Sequence, residues 1–532
     1  MEHKIDRISE LPEPILEHIL SFIPLEKIPQ LSILSKRWQN VWALLPILEF
    51  NQYIREFNPV KLGSISVNEK EQKIRRMKYD FIYFMEKILQ SRYRQRLSIN
   101  KFKLEMFDID ESDCALLNRC IGYAIESNVK EFNVELEYDQ LVEEPEHYYQ
   151  LPESVLTTKS ITKLSLYKVK FDSFNCDINL PSLKKLYLHE VRVDEQFIQT
   201  VIASCRVLED ISFKGCYGFK SIHVSGLPKL MVLKLKYNHD LKRVEVQASS
   251  LQSLHIDNFW IPCQINLAPC ESLKELVLHG TTKTSKWLHD ILLKHPRVEK
   301  LDLTGCNMLE WVYISSPHMK TLNLSRCEKL VEVNINAPNL HSLGYCGGVI
   351  SYALNVTALF EANLNFVGRI PWNVEKIAFL ANYLSHPKLL TWRTVFIEGV
   401  IIPKELRESQ QPFRPLYNVK KLELKAYFSP KKNEFSELVD SMLWICPLLE
   451  ILSIECKDEN KSVHNIFFKF SYENPVYKGG ENFNCCKLLL DLCWRHYLKT
   501  VKIEDSGGLA DEDDLRKYFY ENAKVLKSFQ YA

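Results

Sequence analysis

Hydrophobic residues recur through the middle of the chain in one short pattern, apolar-x-x-apolar-x-apolar. Nine copies begin between residues 161 and 340, and successive copies start 21 to 25 residues apart. The copies are ITKLSL from Ile161, LKKLYL from Leu183, LEDISF from Leu208, LMVLKL from Leu230, LQSLHI from Leu251, LKELVL from Leu273, VEKLDL from Val298, MKTLNL from Met319 and a broken LHSLGY from Leu340. The last two apolar positions are two residues apart, so their side chains leave one face of a short strand. One such strand cannot bury that face alone, which predicts a stack of strands around one shared core.

This spacing lies in the range that is typical of leucine-rich repeats. It predicts parallel strands about 4.8 Å apart that form an irregular, curved solenoid. The pattern returns as VKKLEL from Val419 and LEILSI from Leu449. Between them, the irregular stretch at about 344–415 is either an insertion or a set of degraded repeats, and the sequence leaves both open.

The segments that connect the repeats are of two kinds. Short ones carry alternating apolar residues that predict a second small strand, and longer ones have the apolar spacing of a helix. The predicted second strands lie at Ile222, Val244–Val246, Val312 and Val333, and the predicted helices at Asp194–Cys205 and Lys286–Pro296.

Several copies of the pattern are followed by a cysteine two or three residues later: Cys216, Cys306, Cys327 and Cys456. Leucine-rich repeats accept Asn or Cys there as a small side chain that turns inward. We therefore interpret these thiols as structural rather than as metal ligands or redox groups.

The first fifty residues have a different rhythm, which predicts two helices. Glu10–Ile23 has apolar residues over a wide arc, with Pro14 in its first turn, and a second helix starts near Pro29 and ends at about Leu45. Two such short helices carry more apolar surface than they can hide from water together. The surplus must meet either the rest of this chain or another protein.

These residues resemble the F-box of plant F-box/leucine-rich-repeat proteins. ISELPEPILEHILSFIP followed by LSKRWQNVWALLPILEF carries the resemblance, with Pro29 as its one departure. The resemblance implies an adaptor of the Skp type and, through it, a cullin. The residues that it assigns to adaptor contact or its support are Leu11, Pro12, Ile15, Ile19, Leu20, Pro24, Leu34 and Trp38. Trp38 is expected at the adaptor side of the second helix, and Trp42 is expected to brace the box against the next region.

The C-terminal residues resemble the FBD region that closes many of these plant proteins. LKTVKIE alternates as a last strand, SGG is a turn, and DEDDLRKYFYENAKVL predicts an amphipathic helix. We expect an α/β chain in four parts: an F-box at 4–50, a linker and the first part of the repeat domain at 51–150, leucine-rich repeats at 151–456, and a C-terminal α/β cap at 480–532.

Composition and motifs narrow the function classes. Lys plus Arg number 68 against 67 for Asp plus Glu, which gives no support to a nucleic-acid or membrane-surface role for the whole chain. No signal peptide, membrane span, disulfide framework or catalytic motif is apparent, so we expect a reduced protein of the nucleus or cytoplasm without cofactor or metal.

Three segments could suggest a binding site, and each has a structural interpretation. Asp511–Asp514 is interpreted as the acidic first turn of a helix, and Cys485, Cys486, Cys493 and His496 lack the spacing of zinc ligands. The basic and aromatic run Lys73–Arg96 reads as a helix with its apolar side inward and its basic residues in solvent, with a phosphate-rich cofactor or an acidic partner as the alternative.

The sequence thus predicts a non-catalytic substrate receptor of an SCF (Skp–cullin–F-box) ubiquitin ligase. The alternative is a leucine-rich-repeat scaffold that acts without a ligase. The target protein and its contact residues are not readable from the sequence.

Overall fold

The structure is a computed structural model. The chain divides into two compact units, Met1–Ser272 and Leu273–Ala532. It describes residues 11–20, 22–23, 41, 44–52, 67–107, 109–138, 147–171, 178–257, 262–268, 270–366, 384, 386–395, 399–407, 415–427, 431, 434–457, 462–473 and 493–532.

The first unit contains one long row of parallel strands. In hydrogen-bonded order these are β1 (Ile47–Asn51), β2 (Lys101–Phe107), β3 (Glu131–Glu137), β5 (Lys163–Tyr167), β7 (Lys185–His189), β8 (Asp210–Lys214), β10 (Val232–Lys236) and β12 (Ser253–Asp257). Two smaller parallel groups accompany them: β4 (Tyr149–Gln150) with β6 (Val169–Lys170), and β9 (Ser221–Ser225), β11 (Arg243–Gln247) and β13 (Gln264–Leu267). The helices are α1 (Glu13–Leu20), α2 (Val67–Arg94), α3 (Glu111–Glu126) and α4 (Glu195–Ser204), with a 3₁₀ turn at Glu153–Val155.

The second unit repeats this plan. Its parallel strands are β14 (Glu275–His279), β15 (Lys300–Thr304), β17 (Thr321–Ser325), β19 (Ser342–Gly347), β21 (Glu361–Phe366), β22 (Leu389–Thr394), β23 (Lys421–Ala426) and β24 (Ile451–Lys457). A second sheet contains β16 (Trp311–Ser315), β18 (Glu332–Asn336) and β20 (Ser351–Asn355). The helices are α5 (Ser285–Lys294), α6 (Lys404–Arg407), α7 (Phe435–Ile445), α8 (Trp494–Tyr497) and α9 (Glu512–Asn522).

The repeat positions that the pattern marks as apolar form buried rows across the strands. Leu186, Ile211 and Leu233 are register partners on β7, β8 and β10, and all three are buried. Each strand starts two residues after the first apolar position of its copy, and that first residue is buried just before the strand, as Leu183, Leu208 and Leu230 are. The residues between the buried ones point to the other face, which stays open to solvent in part.

Strand pairing continues into the stretch where the sequence pattern breaks. β21 and β22 keep the register of their neighbours, with Ala362 at the buried position that Leu343 fills on β19 and Trp392 at the one that Leu424 fills on β23. The described part of 344–415 therefore contains repeats in which smaller or aromatic side chains obscure the pattern.

The predicted connections are confirmed. The second small strands are β9, β11, β16 and β18, and the two predicted helices are α4 and α5. Both helices are capped as their sequences suggest: the Asp194 carboxylate accepts from the Phe197 amide at 2.7 Å, and the Thr284 hydroxyl accepts from the Trp287 amide at 3.4 Å.

The repeat cysteines are buried, as their inward-turned position in the pattern predicts. The thiols of Cys216, Cys306 and Cys327 donate to the carbonyl oxygens of Leu188, Leu278 and Leu303 at 3.3, 3.1 and 3.0 Å, and Cys456 is also buried. Burial raises the pKa of Cys216 and of Cys327 to about 12, so both stay protonated at neutral pH. This protonation suits a packing role.

At the C-terminal end, LKTVKIE forms β26 (Leu498–Asp505), which is antiparallel to β25 (Val463–Tyr472). Asp511 caps α9, and three acids occupy its first turn. The expectation that β26 is the last strand is wrong. Helix α9 ends at Asn522, and β27 (Ser528–Tyr531) follows and pairs in parallel with β26, because Phe529 supplies a further apolar side chain to bury.

Helix α2 contains the basic and aromatic run. The prediction that all basic residues of this run lie in solvent is wrong. Phe81, Met85 and Leu89 are buried as expected, but not all basic residues lie in solvent. Lys78 is buried against Asp110 and Asp113 at 2.8 and 2.7 Å, and Arg92 is buried as well. Both side chains lie on the apolar side of the helix. No helix among the described residues is long and apolar enough to cross a membrane.

Candidate functional site

The N-terminal helix α1 begins directly after the Leu-Pro pair that the F-box resemblance singles out. The carbonyl oxygen of Pro12 accepts hydrogen bonds from the amides of Ile15 and Leu16 at 2.9 and 3.2 Å. Pro14 sits in the first turn, where its missing N–H leaves no intrahelical bond unmade. The Leu-Pro turn is thereby fixed as the start of this helix.

Helix α1 has two apolar sides with different environments. Leu16 and Leu20, four residues apart, are 0% and 1% exposed. On the other side Ile15 is 46% exposed, and Phe22, just beyond the helix, is 75% exposed. The surplus apolar surface of this segment is therefore only partly covered by the chain itself.

The structure describes five of the eight predicted adaptor-contact residues. Leu11 and Ile19 are half-buried, Pro12 and Ile15 are exposed, and Leu20 is buried. Leu20 can therefore only support the contact face from inside. The other three, Pro24, Leu34 and Trp38, lie outside the described residues, as do Pro29 and Trp42.

The end of the box, which the sequence assigns to the F-box up to residue 50, continues into the sheet as strand β1. The Pro46 carbonyl accepts from the Asn100 amide at 2.7 Å, and β1 pairs with β2. Phe50 is buried, with its ring 6.4 Å from that of Phe84 on α2 and 6.0 Å from that of Phe102 on β2. The alternation in ILEFN was the available signal for this strand.

Exposed apolar side chains also occur beside β1. Leu44 and Ile47 are exposed, whereas Val41, Leu45 and Leu48 are buried. This segment thus has the same division as α1, with one set of side chains in the core and another in solvent.

The open face of the repeat strands is polar and carries ladders of hydrogen bonds. In the second unit Asp302 accepts from Asn323 Nδ2 at 2.9 Å and from the Thr304 hydroxyl at 2.8 Å, and it lies 3.2 Å from His279 Nε2. Burial by itself raises the pKa of Asp302, but the hydrogen bonds from His279 and Thr304 outweigh it and lower the pKa. In the first unit the Tyr187 hydroxyl donates to Asp210 at 2.7 Å.

The described residues contain no group of three or more His, Cys, Asp or Glu side chains that could hold a metal ion. Cys493 is buried and His496 is partly exposed at α8, whereas Cys485 and Cys486 lie outside the described part of the chain.

Comparison with known families supports the two-part architecture. Residues 8–50 match the F-box domain family. Residues 88–259 and 247–367 match the family described as At1g61320/AtMIF1, LRR domain, and together these segments span more than half of the 532 residues.

Several curated proteins of Arabidopsis thaliana are similar to this chain. The F-box/FBD/LRR-repeat protein At5g22610 is 32% identical over 43% of this chain and 42% of its own length. The F-box/LRR-repeat protein At3g18150 is 26% identical over 57% and 61%, and the FBD-associated F-box protein At5g53635 is 28% identical over 47% and 54%. The chain thus spans about half the length of these relatives.

Among solved structures, the functional domain of InlJ from Listeria monocytogenes matches 66% of this chain and 84% of its own at 11% identity, with a TM-score of 0.31. That likeness is too low to add to the fold. An F-box match at the N-terminus, a leucine-rich-repeat match over the strands of both units and relatives named for F-box, FBD and leucine-rich repeats agree with one another: this chain belongs to the F-box/leucine-rich-repeat family of plants.

Proposed function

We propose that this protein is the substrate-recognition subunit of an SCF-type ubiquitin ligase. The F-box docks on a Skp-type adaptor and through it on a cullin, while the leucine-rich repeats hold a target protein for ubiquitination. No catalytic residue is needed in this chain, because tethering the target beside the ligase raises its effective concentration there.

The single observation that carries the proposal is the divided apolar surface of helix α1. Ile15 is 46% exposed and Phe22 is 75% exposed, and a partner that covered these large apolar side chains would remove their surface from water. The buried side, Leu16 and Leu20, anchors the same helix to the chain. A short helix that is fixed on one side and apolar on the other is suited to helix-face docking.

The predicted contact residues fit this geometry. Pro12 and Ile15 are on the exposed surface, Leu11 and Ile19 border it, and Leu20 supports it from below. Pro24, Leu34 and Trp38 complete the proposed contact set from the family resemblance.

A pull-down of the full-length chain with a purified Skp-type adaptor and a cullin tests the proposal. We expect the wild type to retain both, and Leu11→Ala with Pro12→Ala to lose both while the repeats stay folded by circular dichroism. A wild type that retains no adaptor would exclude the ligase role and leave the scaffold alternative. Retention by the double variant, or collapse of its fold, would count against the assigned interface.

A further inference from the structure

Helix α2 presents a row of exposed tyrosine and basic side chains to solvent. Arg76, Tyr79, Tyr83, Lys87 and Arg94 follow one another at spacings of three, four, four and seven residues, so they lie within a stripe of roughly 80° on one side of the helix. Tyr79 is 56% exposed and Tyr83 is 46% exposed. We call these five residues the tyrosine–cation stripe.

The opposite side of the helix is fixed in the core, which makes the stripe a rigid surface. Phe81, Met85 and Leu89 are buried there, and α2 packs on α3. The helix cannot rotate to bury the tyrosines without exposing these apolar side chains. A preorganised surface loses little conformational entropy on binding.

The cations of the stripe have no acidic partner among the residues that the structure describes. Within the described ranges Arg76, Lys87 and Arg94 make no ion pair, whereas Glu86 beside them pairs with Arg119 of α3 at 2.8 Å. Asp80, at the margin of the stripe, makes an interaction of its own. Three positive charges along one helix side therefore lack an ion-pair partner in the part of the chain that the structure describes, and like charges on one helix side repel one another, a cost that an anionic partner would reduce.

From these observations we infer that the tyrosine–cation stripe is a docking surface for an acidic, Asp- and Glu-rich protein segment. Tyr and Arg are among the side chains most enriched at the energetic centres of protein interfaces, and carboxylates complement the cations of the stripe. This surface is separate in sequence from the F-box helix, so the inference goes beyond the proposed ligase role.

Two other anionic partners fit the stripe less well. A nucleic acid would stack bases on exposed aromatic rings, but Lys87 Nζ lies over the Tyr83 ring at 4.9 Å, and the neighbouring Tyr93 ring contacts that of Tyr123 at 5.5 Å. A membrane surface would need an apolar helix side free to insert, and the apolar side of α2 is buried in the protein.

The length of the stripe determines the length of the peptide used to test it. Arg76 and Arg94 are about 27 Å apart along the helix axis, a span that about eight extended residues cover. A fluorescein-labelled peptide of alternating Glu and Ser of that length is the test ligand. A Gln-for-Glu peptide and a single-stranded RNA of equal charge are its comparators.

Fluorescence anisotropy with the full-length chain measures binding at low and at physiological salt. We expect the Glu peptide to bind more tightly than both comparators and to weaken as salt rises. Arg76→Glu with Lys87→Glu should weaken it by about tenfold or more. Tyr79→Ala with Tyr83→Ala should also weaken binding of the Glu peptide, since the two rings supply contact area.

The matched control is Lys229→Glu with Lys242→Glu, an equal change of charge at exposed lysines of the same unit outside the stripe. It should bind the peptide as the wild type does. Absence of wild-type binding, equal loss in the control, or tighter binding of the RNA would overturn the inference. If the charge reversal disturbs folding, Arg76→Gln with Lys87→Gln replaces it. Adaptor pull-down by these variants should be unchanged, which separates this surface from the F-box.

Discussion

The hydroxyl of Tyr518 on helix α9 donates a hydrogen bond to Asp440 on helix α7 at 2.6 Å. Asp440 also accepts from Arg495 at 2.8 Å and pairs with Arg407. One carboxylate thus joins four elements of the C-terminal region, and its ion pairs are mostly shielded from water. Burial raises the pKa of Tyr518 well above that of a free tyrosine, so it remains a donor throughout the physiological range.

This network predicts a ranked pair of stability losses. Tyr518→Phe removes one hydrogen bond to a charged acceptor and should cost about 1.5–3 kcal/mol. Asp440→Ala leaves the guanidinium groups of Arg407 and Arg495 without their carboxylate and should cost more, about 3–5 kcal/mol. Chemical denaturation followed by circular dichroism measures both. Equal losses, or a larger loss for Tyr518→Phe, would contradict the central role of Asp440.

Replacing glycine by alanine should have opposite effects on stability at two positions, Gly218 and Gly122. At Gly218 φ is +96°, and an added Cβ would lie 2.8 Å from the Val193 carbonyl oxygen, which belongs to the backbone and moves only at a cost. Gly218→Ala should therefore destabilise the protein by about 1–3 kcal/mol.

Gly122 is the matched control for Gly218. It lies inside helix α3, and an added Cβ meets no atom within 4 Å. Gly122→Ala should raise the free energy of unfolding by up to about 1 kcal/mol, because alanine is the better helix former. Thermal melts of the two variants should shift in opposite directions, and a shift in the same direction would contradict the geometry at one of the sites.

The ion pairs of Lys78 predict a dependence of stability on pH. Burial alone raises the pKa of Asp110, but the hydrogen bonds from Lys78 and Ser112 outweigh it and lower the pKa to about 2, from 3.8 in a free aspartate. Because the folded-state pKa is depressed, this stabilisation is complete above about pH 4 and is lost as the pH falls toward 2. Its size is about 1 kcal/mol or less, since the Asp110 side chain is 44% exposed and solvent screens the pair.

Denaturation of the wild type and of Asp110→Asn tests this dependence. The two unfolding free energies should differ by a constant amount at neutral pH and should converge as the pH falls through the window above. A difference that persists or grows in acid would mean that the carboxylate charge of Asp110 is not what stabilises the fold.

Replacing Arg92 by an apolar side chain should stabilise the protein. Its side chain is buried, its Nη1 atom has no hydrogen-bond partner within the described part of the chain, and burial lowers the pKa of its guanidinium to about 10. Replacing a buried, unpaired charge by an apolar side chain of similar length removes its desolvation penalty. Arg92→Met should raise the melting temperature, whereas Arg94→Met, at an exposed position on the same turn, should leave it nearly unchanged. A clear loss of stability in Arg92→Met would show that the guanidinium has a structural role.

The sequence predicted the repeats well because their signal is redundant. Leu186 and Leu233 occupy the same position in their copies and both are buried, so each copy independently predicts a strand at the same place in its repeat. Where small or aromatic residues take that position, as Ala362 does, the signal fails although the strand persists. The burial of Lys78 could not be predicted from its own segment, because its partners Asp110 and Asp113 lie more than thirty residues away in sequence. The F-box was identified by its motif, but a motif does not say which of its apolar residues are buried: Leu16 is covered and the adjacent Ile15 is exposed.

The most direct test of the central claim is the affinity of the full-length chain for a purified Skp-type adaptor, measured by isothermal titration calorimetry for the wild type, Ile15→Asp and Leu293→Asp. Leu293 is the matched control, since it is an exposed aliphatic residue, 68% exposed, outside the F-box. We predict that the wild type and Leu293→Asp bind alike. Ile15→Asp should bind about tenfold or more weakly without a change in melting temperature, because a charge is then buried against an apolar partner. A wild type that does not bind, or an Ile15→Asp variant that binds as the wild type does, would contradict the account.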